Sequence, residues 1–334
     1  MAATTQQGET APDPGPAAPA ERTTTSGPAR RRTWLVRLRH DWTLLLMTVP
    51  ALALVIAFNY LPMFGTVTAF QYYNYIAGFW NSEWAGWDNF DQLFRDPIFW
   101  LAFRNTLWLS FVQIVLYFPI PIALAVLLNS VLSSKVRSAI QAVTYLPHFF
   151  GWVIVVTLFQ QMLGGAGVLN HYLRTHGLTP YDVMTDPNAF PYLVAAQVVW
   201  KEAGWGIIVF LAAIAAINPD LYEAAAADGA GRWRRLWHIT LPGMRSVIVL
   251  LLVLRLGNAL TVGFEQFLIQ RYAVGSDSAE VLDTYAYYFG VVANNYGLGA
   301  AAGLFKGVVS LLLIWGANRL AHALGEDGLY RSER

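Results

Sequence analysis

Six apolar stretches, each about as long as a helix that crosses a bilayer, constrain this chain more than any other feature of its sequence. A hydrocarbon core roughly 30 Å thick needs about 20 predominantly apolar residues in a helix. The runs fall at residues 43–62, 103–128, 143–163, 192–217, 247–269 and 301–320. They are continuous rather than amphipathic, which sets them apart from the helices of a water-soluble core. Charge usage agrees: 13% of the 334 residues are charged, against roughly 25% in a soluble domain. The expected fold is all-α and polytopic, with backbone groups satisfied within each helix.

Lys and Arg give the orientation. With a cytoplasmic amino terminus, fifteen of the 22 fall in inside segments, among them Arg30, Arg31, Arg32, Lys135, Arg137, Arg232, Arg234, Arg235, Arg245 and Arg319. Outside segments hold only Arg95, Arg104, Arg174 and Arg271. Both termini are therefore expected in the cytoplasm. Residues 1–40, rich in Ala, Pro, Thr and Gly and ending in an arginine run, read as a disordered basic tail. Arg31-Arg32 loosely resembles a twin-arginine export signal, but it fits better as the basic flank of the first span, since no small-residue cleavage site closes the run that follows. A net charge of +1 gives no sign of a nucleic-acid partner, and the absence of cysteine excludes disulfides, thiolate metal sites and a cysteine nucleophile. Pro119 and Pro121 should kink the second span, and Gly204 and Gly206 should allow close packing in the fourth. In the aromatic loop after the first span, Trp80, Trp84 and Trp87 read as an interfacial belt with loop packing, stacking on a sugar being the alternative.

Between the fourth and fifth runs lies a charged, helix-prone insert, "NPDLYEAAAADGAGRWRRLWHITLPG". Asn218 or Asp220 can cap a helix in which Pro219 takes an early position and Glu223 stands in the first turn, where the macrodipole favours an acid. Gly229 can adopt the left-handed conformation that ends it. Residues 231–237 can form a second short helix carrying three arginines, after which Pro242 punctuates the return to the membrane. The product is a helix-turn-helix knob held between two spans.

Within the insert, Glu223-Ala224-Ala225, three residues ending in Asp228, Gly229, nine residues, Ile239, one residue and Leu241-Pro242 form a compound motif. It resembles the signature of the permease subunits of binding-protein-dependent ABC importers. The similarity extends from about residue 45 to the carboxyl terminus. "YLPMFGTVTAFQYYN", "WKEAGWG" and "GLFKGVVSLLLIWGANRLAHALGEDGLY" look like the carbohydrate-importing branch, closest to permeases paired with oligosaccharide- or polysaccharide-binding lipoproteins. The resemblance implies a type I importer permease fold in a bacterial inner membrane. Its domains would be a tail at 1–40, a first span and external loop at 41–100, a core at 101–320 with the coupling loop at 218–246, and a tail at 321–334. It also implies that Glu223, Ala224, Ala225, Asp228, Gly229, Ile239, Leu241 and Pro242 couple the permease to a partner ATPase. The chain would form half of a path for a sugar or oligosaccharide. Its partners would be a second homologous permease, two cytoplasmic ATP-binding subunits that carry ATP and Mg, and an extracytoplasmic solute-binding lipoprotein.

The residues themselves agree with an energy source elsewhere: no G-x-x-x-x-G-K-[ST] occurs, so the chain lacks that nucleotide cradle. No catalytic set is evident, because Asp182, Asp186 and Glu202 make no persuasive acid–base pair. His171 and His176 lack a further ligand for a metal, and no cofactor is expected on this chain. Charges inside the spans are costly and by default face a bundle interior or a wet cavity. Lys201 and Glu202 either line a path for a polar substrate or form an internal ion pair. For Arg255 the path is the favoured reading. Lys201 and Arg255 would suit a uronate or sulfated glycan, although the residues leave a neutral ligand open. Lys306 and Glu265 stand nearer the outer edge, where Lys306 can snorkel. A secondary active transporter is the rival reading; it predicts inverted repeats that are not evident, and it leaves the insert unexplained.

Overall fold

The computed structural model describes residues 42–323 and Gly325, and the chain divides into two units, Met1–Leu61 and Pro62–Arg334. The expected tail at 1–40, with Arg31-Arg32, lies outside the described residues. In the first unit α1, Trp42–Val55, contains Pro50 and runs on as a π-helical turn, Ile56–Tyr60. It carries apolar residues on every side, the pattern of a membrane span rather than of an amphipathic surface helix.

The second unit opens with a 3₁₀ segment, Phe64–Phe70, and a short antiparallel hairpin, β1 (Gln71–Tyr72) and β2 (Glu83–Trp84), in which Gln71 faces Trp84. Trp84 stacks on Phe70 at 5.8 Å and Trp87 meets the same ring edge-on at 5.4 Å, so these two tryptophans pack the hairpin region, while Trp80 is 91% exposed. After α2 (Asp88–Arg95), α3 (Pro97–Tyr117) begins at a built cap: the Asp96 carboxylate accepts from the Ile98 N–H at 2.8 Å and Pro97 fills the first position. Pro119 has no N–H to donate, so one rung of the ladder is lost at Phe118, but the span runs on through α4, Pro119–Asn129, as one helical stretch from Pro97 to Asn129.

Two of the expected spans differ from their sequence reading. The third is interrupted: α5 (Ser134–Tyr145) passes through a 3₁₀ turn at Leu146–Phe149 before α6 (Trp152–Leu163). Pro147 disrupts the ladder, although the apolar run is continuous. The fifth, read as unbroken over 247–269, stops when α12 (Arg245–Gly257) ends, and restarts as α13, Phe264–Val274, after Gly263 at φ +115°. Between these lie α7 (Val168–Thr175), the long α8 (Phe190–Ala215), the knob helices α9 (Pro219–Ala227), α10 (Arg232–Arg235) and α11 (Leu241–Gly243). The chain closes with α14 (Ser276–Ala279), α15 (Leu282–Tyr285), a π-helical segment Ala286–Val292 and α16, Tyr296–Ala323.

α8 is the most buried of the spans. Lipid tails are as apolar as leucine, so helices in a membrane associate through close packing and hydrogen bonds rather than burial from water. Both devices are present. A Cβ on Gly204 would lie 2.2 Å from the Thr144 carbonyl oxygen, and one on Gly206 would lie 2.7 Å from Pro121 Cβ, so α5 and α4 approach α8 at its glycines. Gln197 of α8 is joined to α13 by two buried amides: Gln266 Nε2 donates to Gln197 Oε1 at 2.7 Å and Gln270 Nε2 donates to it at 3.1 Å.

Candidate functional site

The knob forms as a capped, sharply closed helix. The Asn218 side chain accepts from the Asp220 N–H at 3.0 Å, and Pro219 occupies the first position. Asp220 stands in the first turn, whereas Glu223 sits farther along, outside the position where the helix dipole would favour it. At the other end, Gly229 takes φ +71°. The Ala230 N–H donates to Ala225 O at 2.8 Å and the Gly229 N–H to Ala226 O at 3.1 Å, the paired bonds of a Schellman closure. Gly231 then caps α10, which continues as a π-helical stretch, Leu236–Thr240, into α11. The Tyr222 and Thr240 hydroxyls share a hydrogen bond of 3.0 Å that ties α9 to the returning helix.

Pro242 does not end the returning helix. It occupies an early position of α11, and the axis turns by 58° between Arg232–Gly243 and Arg245–Gly257. Glu223, Ala224, Asp228, Gly229 and Pro242 are exposed, while Ala225, Ile239 and Leu241 are half-buried. The knob therefore offers a small-residue face, flanked by exposed Arg232 and Arg234, half-buried Arg235, and exposed Trp233 and Trp237, and no described residue of its own chain covers it.

A second constellation surrounds the break in the third span. The 3₁₀ turn leaves carbonyls without helical donors, and Lys201 supplies one: its Nζ donates to His148 O at 2.8 Å and lies 3.1 Å from Glu202 Oε1. Glu202 Oε2 is 2.7 Å from His148 Nδ1, and the His148 ring stacks on Trp205 at 5.1 Å and 12°. Neighbours on a helix rarely face each other; here Lys201 and Glu202 meet because both reach the same turn. The Lys201 side chain is 10% exposed and that of Glu202 27%.

Arg255 is placed differently. It occupies the last turn of α12 rather than the middle of a span, because the helix ends at Gly257. Its guanidinium lies over the Tyr117 ring at 5.0 Å, and among the described residues no carboxylate lies within ion-pair distance of it. It opens on a cavity of about 300 Å³ lined also by Tyr117, Trp205, Val209 and Asn258. Trp205 thus links the two: it stacks on the His148 ring that Glu202 holds and shares a cavity wall with Arg255, while Lys201 fixes the turn at His148. Sequence reasoning missed His148, Tyr117 and Trp205. Trp205 was recoverable, since it follows Glu202 by three residues and is flanked by glycines, whereas nothing local marks Tyr117.

Other candidates lie elsewhere. Lys306 does not snorkel: it is ion-paired with Asp283. His171 stands in α7 and His176 at its end, with His176 Nδ1 2.9 Å from Tyr172 O. Asp186 accepts a hydrogen bond from the Tyr181 phenol, which holds its carboxyl below the usual carboxylate range, and Asp182 caps the Met184 N–H.

Comparison with known proteins converges on one family. The model of the binding-protein-dependent transport system inner membrane component matches residues 118–325. Protein LplB of Bacillus subtilis (strain 168) is 41% identical, covering 89% of this chain and 94% of its own length. The polygalacturonan/rhamnogalacturonan transport system permease protein YteP of the same organism is 42% identical, with 90% and 94% covered. A chain of the bacterial alginate ABC transporter, solved in complex with an alginate pentasaccharide-bound periplasmic protein, superposes with a TM-score of 0.80 at 37% identity, covering 89% of this chain and 100% of that one. The all-α architecture with its interrupted spans is thereby the type I importer permease fold, and the chain belongs to the family of binding-protein-dependent transport system inner membrane components.

Proposed function

We propose that this permease forms half of the path by which an acidic oligosaccharide, handed over by an external solute-binding protein, crosses the inner membrane. A sugar importer of this family works through a permease that is not itself an enzyme. The knob at 218–243 would sit in a groove of a cytoplasmic ATP-binding subunit, so that ATP and Mg stay on that partner. A second homologous permease would close the other half of the path. The observation that carries the choice of an acidic ligand is Arg255, a guanidinium facing a cavity with an aromatic ring beneath it and, among the described residues, no acid beside it. A charge kept in that setting needs water or a passing anion to satisfy it, and the planar fork of arginine matches a carboxylate. The relatives named for polygalacturonan and for alginate transport handle uronate polymers, which supports the same reading. Lys201 would then act by holding the broken span in shape, and the Trp205 and His148 rings would offer a flat surface to a sugar. A secondary transporter would have no use for the knob.

Arg255→Gln tests this. The assembled complex should form at the wild-type level, because no buried carboxylate is stranded. Uptake of a galacturonate pentasaccharide should fall by at least tenfold, in keeping with the loss of a charged hydrogen bond of about 1.5–3 kcal/mol. Uptake of a neutral pentasaccharide through the same complex should change less. Undiminished uptake of both would refute the path through this cavity, and failed assembly would make Arg255 a structural residue.

A further inference from the structure

Beyond the cavity at Arg255, we infer that a second sugar subsite lies between α13, the π-helical segment 286–292 and the start of α16; it rests on the translocation reading above and places an additional contact point along the path. A cavity of about 490 Å³ is walled there by Thr261, Phe264, Asp283, Tyr287, Tyr296 and Lys306. It is neighbour to the first: Asn258 lines one and Thr261 the other, and the Thr261 N–H donates to Asn258 O at 2.9 Å.

The lining is unlike a packing gap filled by lipid, which would be apolar throughout. Asp283 and Lys306 form an ion pair with each side chain 20% exposed. A carboxylate beside an ammonium gives one acceptor and one donor at close range, the set that two adjacent sugar hydroxyls can satisfy together. Across from it stand rings. Phe264 and Tyr287 meet at 5.4 Å and 65°, and Tyr287 is 36% exposed with no hydrogen-bond partner for its hydroxyl among the described residues. An aromatic face with a polar tip suits the apolar face and hydroxyl rim of a pyranose.

The backbone supports the cavity as a built feature. Gly290 and Gly299 touch, since a Cβ on Gly290 would lie 2.6 Å from Gly299 Cα, and this contact sets the π-helical segment against α16. The segment supplies Ala286, Tyr287, Gly290 and Val291 to the wall. Short π-helical stretches occur often at functional sites, because the wider turn re-aims side chains. Beyond Tyr296 the lining continues into a further cavity of about 440 Å³, flanked by Tyr72, Tyr73, Asn294 and Asn295, with the Tyr73 and Tyr296 rings 5.7 Å apart. The ligand class is a hydroxyl-rich pyranose unit of an oligosaccharide, charged or not.

The chain has no cysteine, so single reporters are clean. Val291→Cys reports on the new subsite and Val209→Cys on the Arg255 cavity. Each would be reacted with a small neutral maleimide in the fully assembled transporter, with and without a galacturonate pentasaccharide delivered by its binding protein. The sugar should slow labelling at both positions by at least fivefold. Protection at 209 alone would overturn the second subsite and leave the translocation reading intact. Protection at neither would overturn both. A residue 291 that fails to label even without sugar would show the cavity covered by the second permease, which also overturns the proposal. A kinetic readout stands beside this: Tyr287→Ala should raise the KM for uptake by at least fivefold, and Tyr287→Phe, which keeps the ring and loses only the hydroxyl, by clearly less. Equal effects of the two would rule out the ring as a platform.

Discussion

Gly229→Val is expected to yield a permease that reaches the membrane at its normal level but retains its ATP-binding partner at least tenfold less well, with uptake lost in proportion. The reason is conformational. Gly229 sits at φ +71°, and among the described residues nothing beyond its chain neighbours lies within 4 Å of the Cβ that a substitution would add. Space is available, but a left-handed backbone costs an L-residue about 1–2 kcal/mol, and β-branching restricts it further. Valine relieves that strain by opening the Schellman bonds from Ala230 and Gly229, and α10 then leaves α9 at another angle. The knob is exposed, so its misdirection harms docking and spares the membrane fold. A graded series tests the mechanism: asparagine, which tolerates this region best after glycine, should nearly preserve retention, alanine should fall between, and valine should be lowest. Equal retention across the series, measured by co-purification, would show that the turn does not position the knob.

The second large effect is expected within the membrane. Gly204→Val should reduce the amount of folded permease by at least fivefold. A Cβ there would lie 2.2 Å from the Thr144 carbonyl oxygen, 2.7 Å from its carbon and 2.9 Å from Tyr145 Cα. All three are backbone atoms, which cannot rotate away as a side chain would. Overpacking in an ordinary core costs about 1–3 kcal/mol, and here the helix itself must move. Displacing α5 from α8 also draws the adjoining turn at Leu146–Phe149 away from Lys201 and Glu202, stranding charges in a setting where an unpaired ion costs about 3–5 kcal/mol. Gly303→Ala is the contrast, since among the described residues no atom outside its own helical turn lies within 4 Å of its Cβ. Its level, read by fluorescence-detected size exclusion, should match wild type. A folded, monodisperse Gly204→Val would contradict the close approach.

These two glycines mark how far the sequence was legible. Gly229 was readable because its role is local: a helix-ending position followed at fixed distance by Leu241-Pro242 can be seen in one dimension. Close packing at Gly204 was foreseeable only as a tendency of small residues, and its partner, a carbonyl in α5, belongs to a different span. The broken spans show the opposite failure. Hydropathy averages over about 20 residues and passes smoothly through Pro147 and Gly263, although one disrupts the helical ladder and the other needs a positive φ. The charges within the spans could be located but not paired or ranked by burial: Lys201 is buried, Glu202, Arg255 and Lys306 are half-buried and Glu265 is exposed. Lys201 with Glu202 was one of two open readings, and the snorkelling assigned to Lys306 gave way to Asp283, a residue from the segment before α16. Arg255 was read at mid-span because the end of α12 at Gly257 carried no apolar interruption. Pairings between distant elements leave no periodic trace, and they account for most of what was missed.

We propose that the exposed knob docks on the ATP-hydrolysing subunit and passes its motion into the spans. It is tested most directly by a single cysteine at Ala226, an exposed residue of α9 in a chain with no other thiol. In intact cells expressing the whole transporter, Ala226→Cys should resist an impermeant maleimide. In isolated membranes a short thiol crosslinker should join it to the ATP-binding subunit, and Asn81→Cys, in the loop between β1 and β2, should give no such product. A crosslink from residue 226 to the external binding protein, or labelling of 226 from outside the cell, would contradict the account.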